Sequence, residues 1–181
     1  MKISNDIKKI LINENDLNQR INELAVSLTA EYNDKNPIIL SLLKGSVPFT
    51  SELSKRLDFP LEFDYMKPSS YVGTKSSGEV QIQIKPTLDL KNRHVLVVED
   101  IIDTGRTLYK VKELLKTVYQ VKSVKIVALL DKKEMRVCDI DPDFTGFLIP
   151  NEFVVGFGLD YNEQYRNLPY IGVLKEEIYQ K

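Results

Sequence analysis

Short apolar runs alternate along this chain with longer segments whose apolar residues recur at helical spacing. Residues 37–43, 94–99 and 123–130 are runs of the length expected of buried strands. Residues 14–32 and about 105–119 carry apolar side chains with the period of an amphipathic helix. Strands that alternate with helices in this way favour a mainly parallel, twisted sheet flanked by helices on both faces. We therefore expect an α/β fold.

Weaker signals extend the pattern. Asn15 or Asp16 is the expected cap of the first helix, and Pro48 marks the start of a short helix that we expect to end near residue 58. Further strands are predicted at 61–66, 80–85, 144–149 and 153–159, with Val80, Ile82 and Ile84 sharing a face.

The length and charge of the chain narrow the classes of protein it can be. Its 181 residues, 43% of them hydrophobic, suffice for one well-buried core, so we expect a single domain over 1–181. The formal net charge of −1 leaves no overall field that would draw the chain to nucleic acid or to a membrane. No apolar run is long enough for a signal peptide or a bilayer span, so we expect a soluble, cytoplasmic protein.

The chain has one cysteine, Cys138, and one histidine, His94. A single cysteine excludes an intramolecular disulfide and thiolate metal clusters. A single histidine, at the start of a strand-like run, removes the usual partner of Ser or Cys nucleophiles and of zinc. If the protein is an enzyme, carboxylates must perform its proton and metal chemistry.

Two loops follow predicted strands at the edge of the sheet where ligands bind in such folds. One contains Lys44 and Gly45, and the other runs from Glu99 to Thr107. Three carboxylates crowd the second loop and would repel one another unless a cation lies between them. Oxygen ligands without His or Cys indicate magnesium, and magnesium implies a phosphorylated partner.

Residues 104–107, Thr-Gly-Arg-Thr, lie at the turn into the next helix, where free amides and the helix dipole favour an anion. The plainer alternative is that Asp103 or Thr104 caps that helix while the other acids are solvated. Lys-Gly after a strand is likewise often an ordinary turn. Residues 67–79, rich in Ser, Gly and Lys, are either a mobile functional loop or a surface connection. A signalling receiver domain is a poor match, because its acidic pair lies near the N-terminus and these acids begin at residue 99.

The stretch VLVVEDIIDTGRTL resembles the phosphoribosyl diphosphate signature of the type I phosphoribosyltransferases, in the form found in hypoxanthine-guanine phosphoribosyltransferases. Further similar segments occur in the family's order: LLKGS at 42–46, SSY at 69–71, LLDKK at 129–133, PDFTGFLIP at 142–150 and residues 151–174. The resemblance implies the type I phosphoribosyltransferase fold, with a small hood region beside the main sheet.

It also implies a reaction. A purine base, hypoxanthine or guanine, attacks C1 of phosphoribosyl diphosphate to give a nucleoside monophosphate and pyrophosphate, with Mg²⁺ as cofactor. The alternatives are a xanthine-preferring enzyme and a regulator of the same fold that binds nucleotide and RNA; the balanced charge disfavours the regulator. The family implies a homodimer or homotetramer without nucleic acid or membrane partners.

Residue roles follow by matching this sequence to the family. Asp103 corresponds to the general base near N7 of the purine, and Glu99 and Asp100 to the acids that engage the ribose hydroxyls and magnesium. The cradle of the 5′-phosphate corresponds to Thr104, Gly105, Arg106 and Thr107, with Ile102 beside it. Arg106 occupies a position that varies in the family.

The remaining matches concern pyrophosphate and the purine. Lys44 and Gly45 correspond to the pyrophosphate loop, whose Leu43–Lys44 peptide is expected to be cis, while Asp160 and Arg166 correspond to a second magnesium and pyrophosphate. Lys132, next to Lys133, corresponds to the donor to the 6-oxo group. The other matches are Phe153 stacking on the base, Val154 contacting it through its carbonyl, and Ser70 and Tyr71 in a mobile closing loop at about 68–79. Without the family, Phe153 would be assigned to the core.

Overall fold

The computed structural model describes residues 2–69 and 81–180, and these contain nine strands and four α-helices. The strands are β1 (Ile7–Ile12), β2 (Ile38–Leu42), β3 (Glu62–Ser69), β4 (Gln81–Ile84), β5 (His94–Ile102), β6 (Ser123–Asp131), β7 (Phe144–Leu148), β8 (Val154–Val155) and β9 (Ile171–Leu174). The helices are α1 (Glu14–Tyr32), α2 (Val47–Ser54), α3 (Arg106–Thr117) and α4 (Glu176–Tyr179), with 3-10 turns at Ile3–Asp6 and Lys133–Met135.

Six strands form the main sheet in the order β4-β3-β2-β5-β6-β7, and all neighbours are parallel except β3 and β4. The expected parallel α/β fold is therefore confirmed. Strand β3 lies on one side of β2, whereas β5, β6 and β7 lie on the other side. The strand order thus reverses between β2 and β5, and ligands bind at the carboxyl ends of strands at such a reversal.

Both faces of the central strands β2, β5 and β6 are largely buried, which explains why these strands are continuous apolar runs. Leu96 and Val98 of β5 pack in the cluster that contains α1 and α2. Val95 and Val97, which alternate with them, pack in the cluster that contains α3. This two-sided burial fixes the strand ends from which the loops leave.

A second, three-stranded antiparallel sheet in the order β1-β9-β8 forms the expected small hood region. The strand predicted over 153–159 is mostly wrong, because only Val154 and Val155 are in a strand. The next three residues, Gly156, Phe157 and Gly158, have positive φ angles of 101°, 47° and 104°. A strand cannot continue through that backbone conformation.

Two expected helix ends and one expected strand face also differ from the structure. The cap of α1 is Asn13, whose side chain accepts from the Asp16 amide at 2.9 Å, and not Asn15 or Asp16. Helix α2 ends at Ser54 instead of near residue 58. Of the face predicted for 80–85, Ile82 packs against the core, Ile84 is exposed, and Val80 lies outside the described residues.

Strand β5 is longer than expected and runs through Ile102 instead of ending at residue 99. Its last residues, Ile101 and Ile102, pair with Leu130 and Asp131 of β6. Glu99 and Asp100 are consequently strand residues, and the loop begins only at Asp103. In the part of the chain that the structure covers, no helix combines the length and the apolar character needed to cross a membrane.

Candidate functional site

A cavity of about 260 Å³ lies at the carboxyl ends of β2 and β5. Its wall includes Gly45, the last four residues of β5 (Glu99 to Ile102), the segment 103–107, and Asp160 and Arg166. The two loops that the sequence singles out therefore meet in one crevice. Asp160 and Arg166 reach it from the segment between β8 and β9, more than fifty residues further along the chain.

The segment 103–107 leads from β5 into α3. The residue before α3 is Gly105, whose φ of 79° is left-handed, and no side chain caps the helix. The alternative in which Asp103 or Thr104 caps this helix is therefore wrong. Because the first amides of α3 have no side-chain cap, they are available to an anion in the crevice.

Gly105 is needed for space as well as for conformation. A Cβ atom on this residue would lie 2.7 Å from Ile140 Cγ2 and 2.8 Å from Arg136 Cδ. The 136–140 segment thus packs directly against the outside of the loop, opposite the cavity. Only glycine allows this approach together with a left-handed φ.

Glu99 and Asp100 are poorly neutralised by the protein. Glu99 Oε2 is buried without a hydrogen-bond partner among the described residues, and burial together with Asp100 raises the pKa of Glu99 well above its usual value. Burial also raises the pKa of Asp100 to about 6, against the opposing effect of the Ile101 amide, which donates to Asp100 Oδ1 at 2.9 Å. Such a pair calls for hydroxyl donors or a cation from a ligand.

The donor set fits magnesium held in part by a substrate. Within residues 2–69 and 81–180, no three His, Cys, Asp or Glu side chains form a ready-made metal cluster. Glu99, Asp100 and Asp160 therefore do not make a closed cage. Mg²⁺ commonly binds through one or two carboxylates plus substrate phosphates and water, and the orphaned Glu99 oxygen suits that arrangement.

The loop after β2 has the shape expected from the resemblance. The Leu43–Lys44 peptide is cis, which confirms that expectation. A Cβ atom at Gly45 would overlap the Asp100 carboxylate, and one at Gly158 would overlap the Gly45 carbonyl. The loop is therefore packed between β5 and the segment that carries Asp160.

Three buried hydroxyl groups, those of Ser41, Ser46 and Thr50, stabilise the ends of this loop. They were not identified from the sequence. Ser46 Oγ donates to the Leu42 carbonyl at 2.5 Å and lies 2.7 Å from Ser41 Oγ, which accepts from Thr50 Oγ1 at 2.9 Å. A serine inside the otherwise apolar run Ile38–Leu42 is the signal that points to them. Their hydrogen bonds join β2 to the first turns of α2 and hold the ends of the loop.

Four charged side chains form a network at the mouth of the crevice. Arg166 Nη2 lies 2.8 Å from Asp160 Oδ1, and Arg166 Nη1 donates to the Gly158 carbonyl at 2.8 Å. Glu163 Oε2 lies 2.9 Å from Lys44 Nζ and 3.2 Å from Arg166 Nη2. Glu163 was not among the predicted residues, although it lies in the charged stretch between Asp160 and Arg166.

Lys132 and Lys133 differ sharply in their surroundings. Lys132 is 8% exposed, and its ammonium has no ion pair among the described residues. Its amide donates to the Ile102 carbonyl at 2.9 Å, so it lies beside the end of β5. Lys133 is exposed, with Nζ 3.9 Å from Asp141 Oδ2. An ammonium on a largely buried stem, without an ion pair, is the better candidate for binding a ligand.

Phe153 is 37% exposed and is therefore not the core residue that its sequence context suggests. Its ring stacks on Tyr179 at 4.6 Å and meets Tyr161 edge-on at 5.7 Å. Val154 is buried and pairs with Val173. Together with Lys132, these residues lie outside the wall of the 260 Å³ cavity. Ser70 and Tyr71, with most of the 68–79 loop, lie outside the described residues.

Comparisons with known proteins agree with this geometry. Residues 8–162 match the model of the phosphoribosyl transferase domain family. The hypoxanthine-guanine phosphoribosyltransferase of Lactococcus lactis is 56% identical over 97% of this chain and 95% of its own, and that of Streptococcus pneumoniae is 54% identical over 98% of both. A crystal structure of a hypoxanthine phosphoribosyltransferase from Staphylococcus aureus superposes with a TM-score of 0.95 at 47% identity, covering 99% of this chain and 97% of that one. The chain belongs to the phosphoribosyltransferase family, in its hypoxanthine-guanine group.

Proposed function

We propose that this protein transfers the 5-phosphoribosyl group from phosphoribosyl diphosphate to hypoxanthine or guanine, giving IMP or GMP and pyrophosphate, in purine salvage. The main support for this proposal is the crevice at the carboxyl ends of β2 and β5. There Asp103 lies between the carboxylates of Glu99 and Asp100, which the protein neutralises poorly, and the N-terminus of α3, which has no side-chain cap. The similarity to the hypoxanthine-guanine phosphoribosyltransferases of Lactococcus and Streptococcus supports the same reaction.

The reaction makes two electrostatic demands. The bond from C1 to pyrophosphate breaks with its electron pair on the leaving oxygen, and the purine nitrogen forms the new bond to C1. Arg166 in the cavity wall and Lys44, which shares the Glu163 carboxylate with it, neutralise the leaving pyrophosphate, while the amides of residues 104–107 hold the 5′-phosphate. Asp103 takes the proton that the purine must lose, which general-base catalysis requires within hydrogen-bond reach.

Glu99 and Asp100, with Asp160 nearby, would hold Mg²⁺, which would supply charge neutralisation at the leaving group. The protein itself holds the Glu99 and Asp100 carboxylates in β5, where few of its own groups donate hydrogen bonds to them. Ser70 and Tyr71 are proposed to close over the crevice and keep water from the developing cation at C1.

Glu99→Gln and Asp100→Asn should each reduce kcat/KM for phosphoribosyl diphosphate by about tenfold or more and raise the Mg²⁺ concentration needed for half-maximal rate. Asp100→Asn should raise the melting temperature of the metal-free protein at pH 8, because burial disfavours that charge, and Glu99→Gln should not lower it, because Glu99 Oε2 has no hydrogen bond to lose. The folded-state pKa of Asp100 exceeds its unfolded value, so the charge destabilises the fold above about pH 6 and that penalty fades as pH falls towards 4.

Thermal unfolding of the wild type and both variants at pH 8 and at pH 4, with Mg²⁺ titrated into the activity assay, checks this expectation. An exposed acid, Asp139→Asn, serves as the control for loss of one negative charge. Variants that melt lower than the wild type at pH 8, or that keep its Mg²⁺ dependence, would contradict the assignment.

Glu163→Gln should lower KM for phosphoribosyl diphosphate and the inhibition constant of pyrophosphate by about three- to fivefold. In the free protein, Glu163 Oε2 occupies the space between Lys44 and Arg166, whose charges lower the pKa of Glu163. A bound pyrophosphate must displace this carboxylate. The effect is modest because Glu163 is well exposed and its ion pairs are screened.

The matched control is Glu176→Gln, which removes an exposed acid paired with Lys8 at 3.5 Å. Initial rates at varied phosphoribosyl diphosphate, and product inhibition by pyrophosphate, measure both constants. Unchanged or weaker pyrophosphate binding in Glu163→Gln would show that Glu163 does not compete with the ligand.

We also propose that the protein assembles as a homodimer or homotetramer. Phe63 and Tyr65, on the same side of β3, are 43% and 44% exposed and give the sheet an apolar outer surface.

The test of the proposed function is a competition assay. The protein is incubated with phosphoribosyl diphosphate, Mg²⁺ and an equimolar mixture of hypoxanthine, guanine, xanthine and adenine, and the nucleotides formed are separated. IMP and GMP should dominate and AMP should be absent, because a site that donates to a 6-oxo group meets the 6-amino group of adenine donor to donor. A dominant AMP or XMP product would refute the proposed substrate class.

A further inference from the structure

Arg136 bridges two strand ends and is not among the residues that line the cavity. Its Nη1 donates to the Asp103 carbonyl at 2.6 Å, and its Nη2 donates to the Asp131 carboxylate. The side chain of Arg136 is 10% exposed and that of Asp131 is 3% exposed. Val137, the next residue, donates its amide to the Thr104 carbonyl at 3.1 Å.

The bridge lies where the backbone pairing of β5 and β6 ends. Ile102 pairs with Asp131, and the Lys132 amide donates to the Ile102 carbonyl at 2.9 Å. Beyond these bonds the two chains diverge, since Asp103 enters the loop before α3 and Lys133 begins a 3-10 turn. The planar guanidinium of Arg136 donates to one acceptor on each of the two diverging segments and so holds the segments together.

The two ends that Arg136 connects carry the two groups proposed to meet one purine ring. Asp103 is assigned to the proton near N7, and Lys132, next to Asp131, is assigned to the 6-oxo group. A displacement of about 1 Å between such groups is enough to reduce the rate strongly. We infer that Arg136 is a positioning residue that keeps Asp103 in register with Lys132, so that both contact the same purine. This inference rests on the proposed function.

The test uses Arg136→Lys, Arg136→Met and a matched control. Lysine retains the positive charge beside Asp131 but has no fork that can also hold the Asp103 carbonyl. The control is Arg93→Met, because Arg93 likewise donates to a carboxylate, Glu62, and to a backbone carbonyl, that of Asn36 at 3.2 Å. Arg93 precedes β5 and so lies at the edge of the sheet away from the crevice.

Arg136→Lys should fold and lower kcat/KM for hypoxanthine by about 20-fold, with KM for phosphoribosyl diphosphate changed by less than threefold. Arg136→Met should lose more activity and melt at a lower temperature, since it leaves the Asp131 carboxylate unpaired. Arg93→Met should also melt lower but keep wild-type kinetics within about twofold. A purely structural role for Arg136 predicts that its variants behave like Arg93→Met once rates are corrected for the folded fraction.

A double-mutant cycle with Lys132→Met isolates the positioning role. If Arg136 acts by aligning Asp103 with Lys132, the penalty for Arg136→Lys should shrink from about 20-fold to about twofold when Lys132 is already absent. An equal penalty in both backgrounds, or wild-type rates in Arg136→Lys, would overturn the inference. A wild-type protein that forms no nucleotide from hypoxanthine would instead refute the proposed function, so the two failures are distinguishable.

Discussion

Asp103→Asn is expected to lower kcat with hypoxanthine by about 1000-fold while changing KM for phosphoribosyl diphosphate by less than threefold. General-base catalysis contributes on the order of 10²–10⁴ in rate, and an amide cannot accept the purine proton. The proposed contacts to the 5′-phosphate come from the neighbouring amides of α3, which the substitution leaves in place. Initial rates with each substrate varied separately provide both constants.

The control for this prediction is Asp139→Asn, which removes an exposed carboxylate from the loop that packs behind residues 103–105. It should retain wild-type kinetics. If Asp103→Asn kept more than a tenth of the wild-type kcat, or if its main effect were on KM for phosphoribosyl diphosphate, Asp103 would not be the general base.

Lys132→Met is expected to lower kcat/KM for hypoxanthine and guanine by about 100-fold, because a charge-assisted hydrogen bond to the 6-oxo group is lost. The variant should be about as stable as the wild type. The Lys132 side chain is largely buried and has no ion pair in the described residues, and methionine keeps most of its apolar stem without breaking a charge pair. Losing activity while keeping stability separates a binding role from a folding role.

Lys133→Met is the matched control, since Lys133 is the adjacent lysine, exposed and 3.9 Å from Asp141. It should remain within about twofold of the wild type in both kinetics and melting temperature. The reverse result, with Lys133→Met inactive and Lys132→Met active, would move the purine contact to Lys133.

The main sheet was predictable because its strands are buried on both faces, which makes residues 37–43, 94–99 and 123–130 continuous apolar runs. The strands of the hood sheet were harder to predict from the sequence. β1 contains two lysines and buries only Ile12, and β9 has four residues, so neither has a clear period. The end of β5 was misplaced because Glu99 and Asp100 are charged residues that remain in the strand.

The crevice was predictable where its residues are contiguous, since residues 99–107 carry the acids and the anion-binding turn together. Asp160 and Arg166 were placed in it only through the family resemblance, and other long-range contacts were not predicted. Lys44 and Glu163 are 119 residues apart, and Arg136 and Asp103 are 33 apart, so no local pattern reports their pairing. Such contacts depend on how the strand ends are brought together, and a single sequence does not encode that in any short motif.

The most direct measurement is the stoichiometry of the wild-type reaction with hypoxanthine, phosphoribosyl diphosphate and Mg²⁺. IMP and pyrophosphate should form in equal amounts, with one hypoxanthine consumed for each, and removing Mg²⁺ with a chelator should stop both. Pyrophosphate released without IMP, or no conversion of hypoxanthine at all, would contradict phosphoribosyl transfer in this crevice.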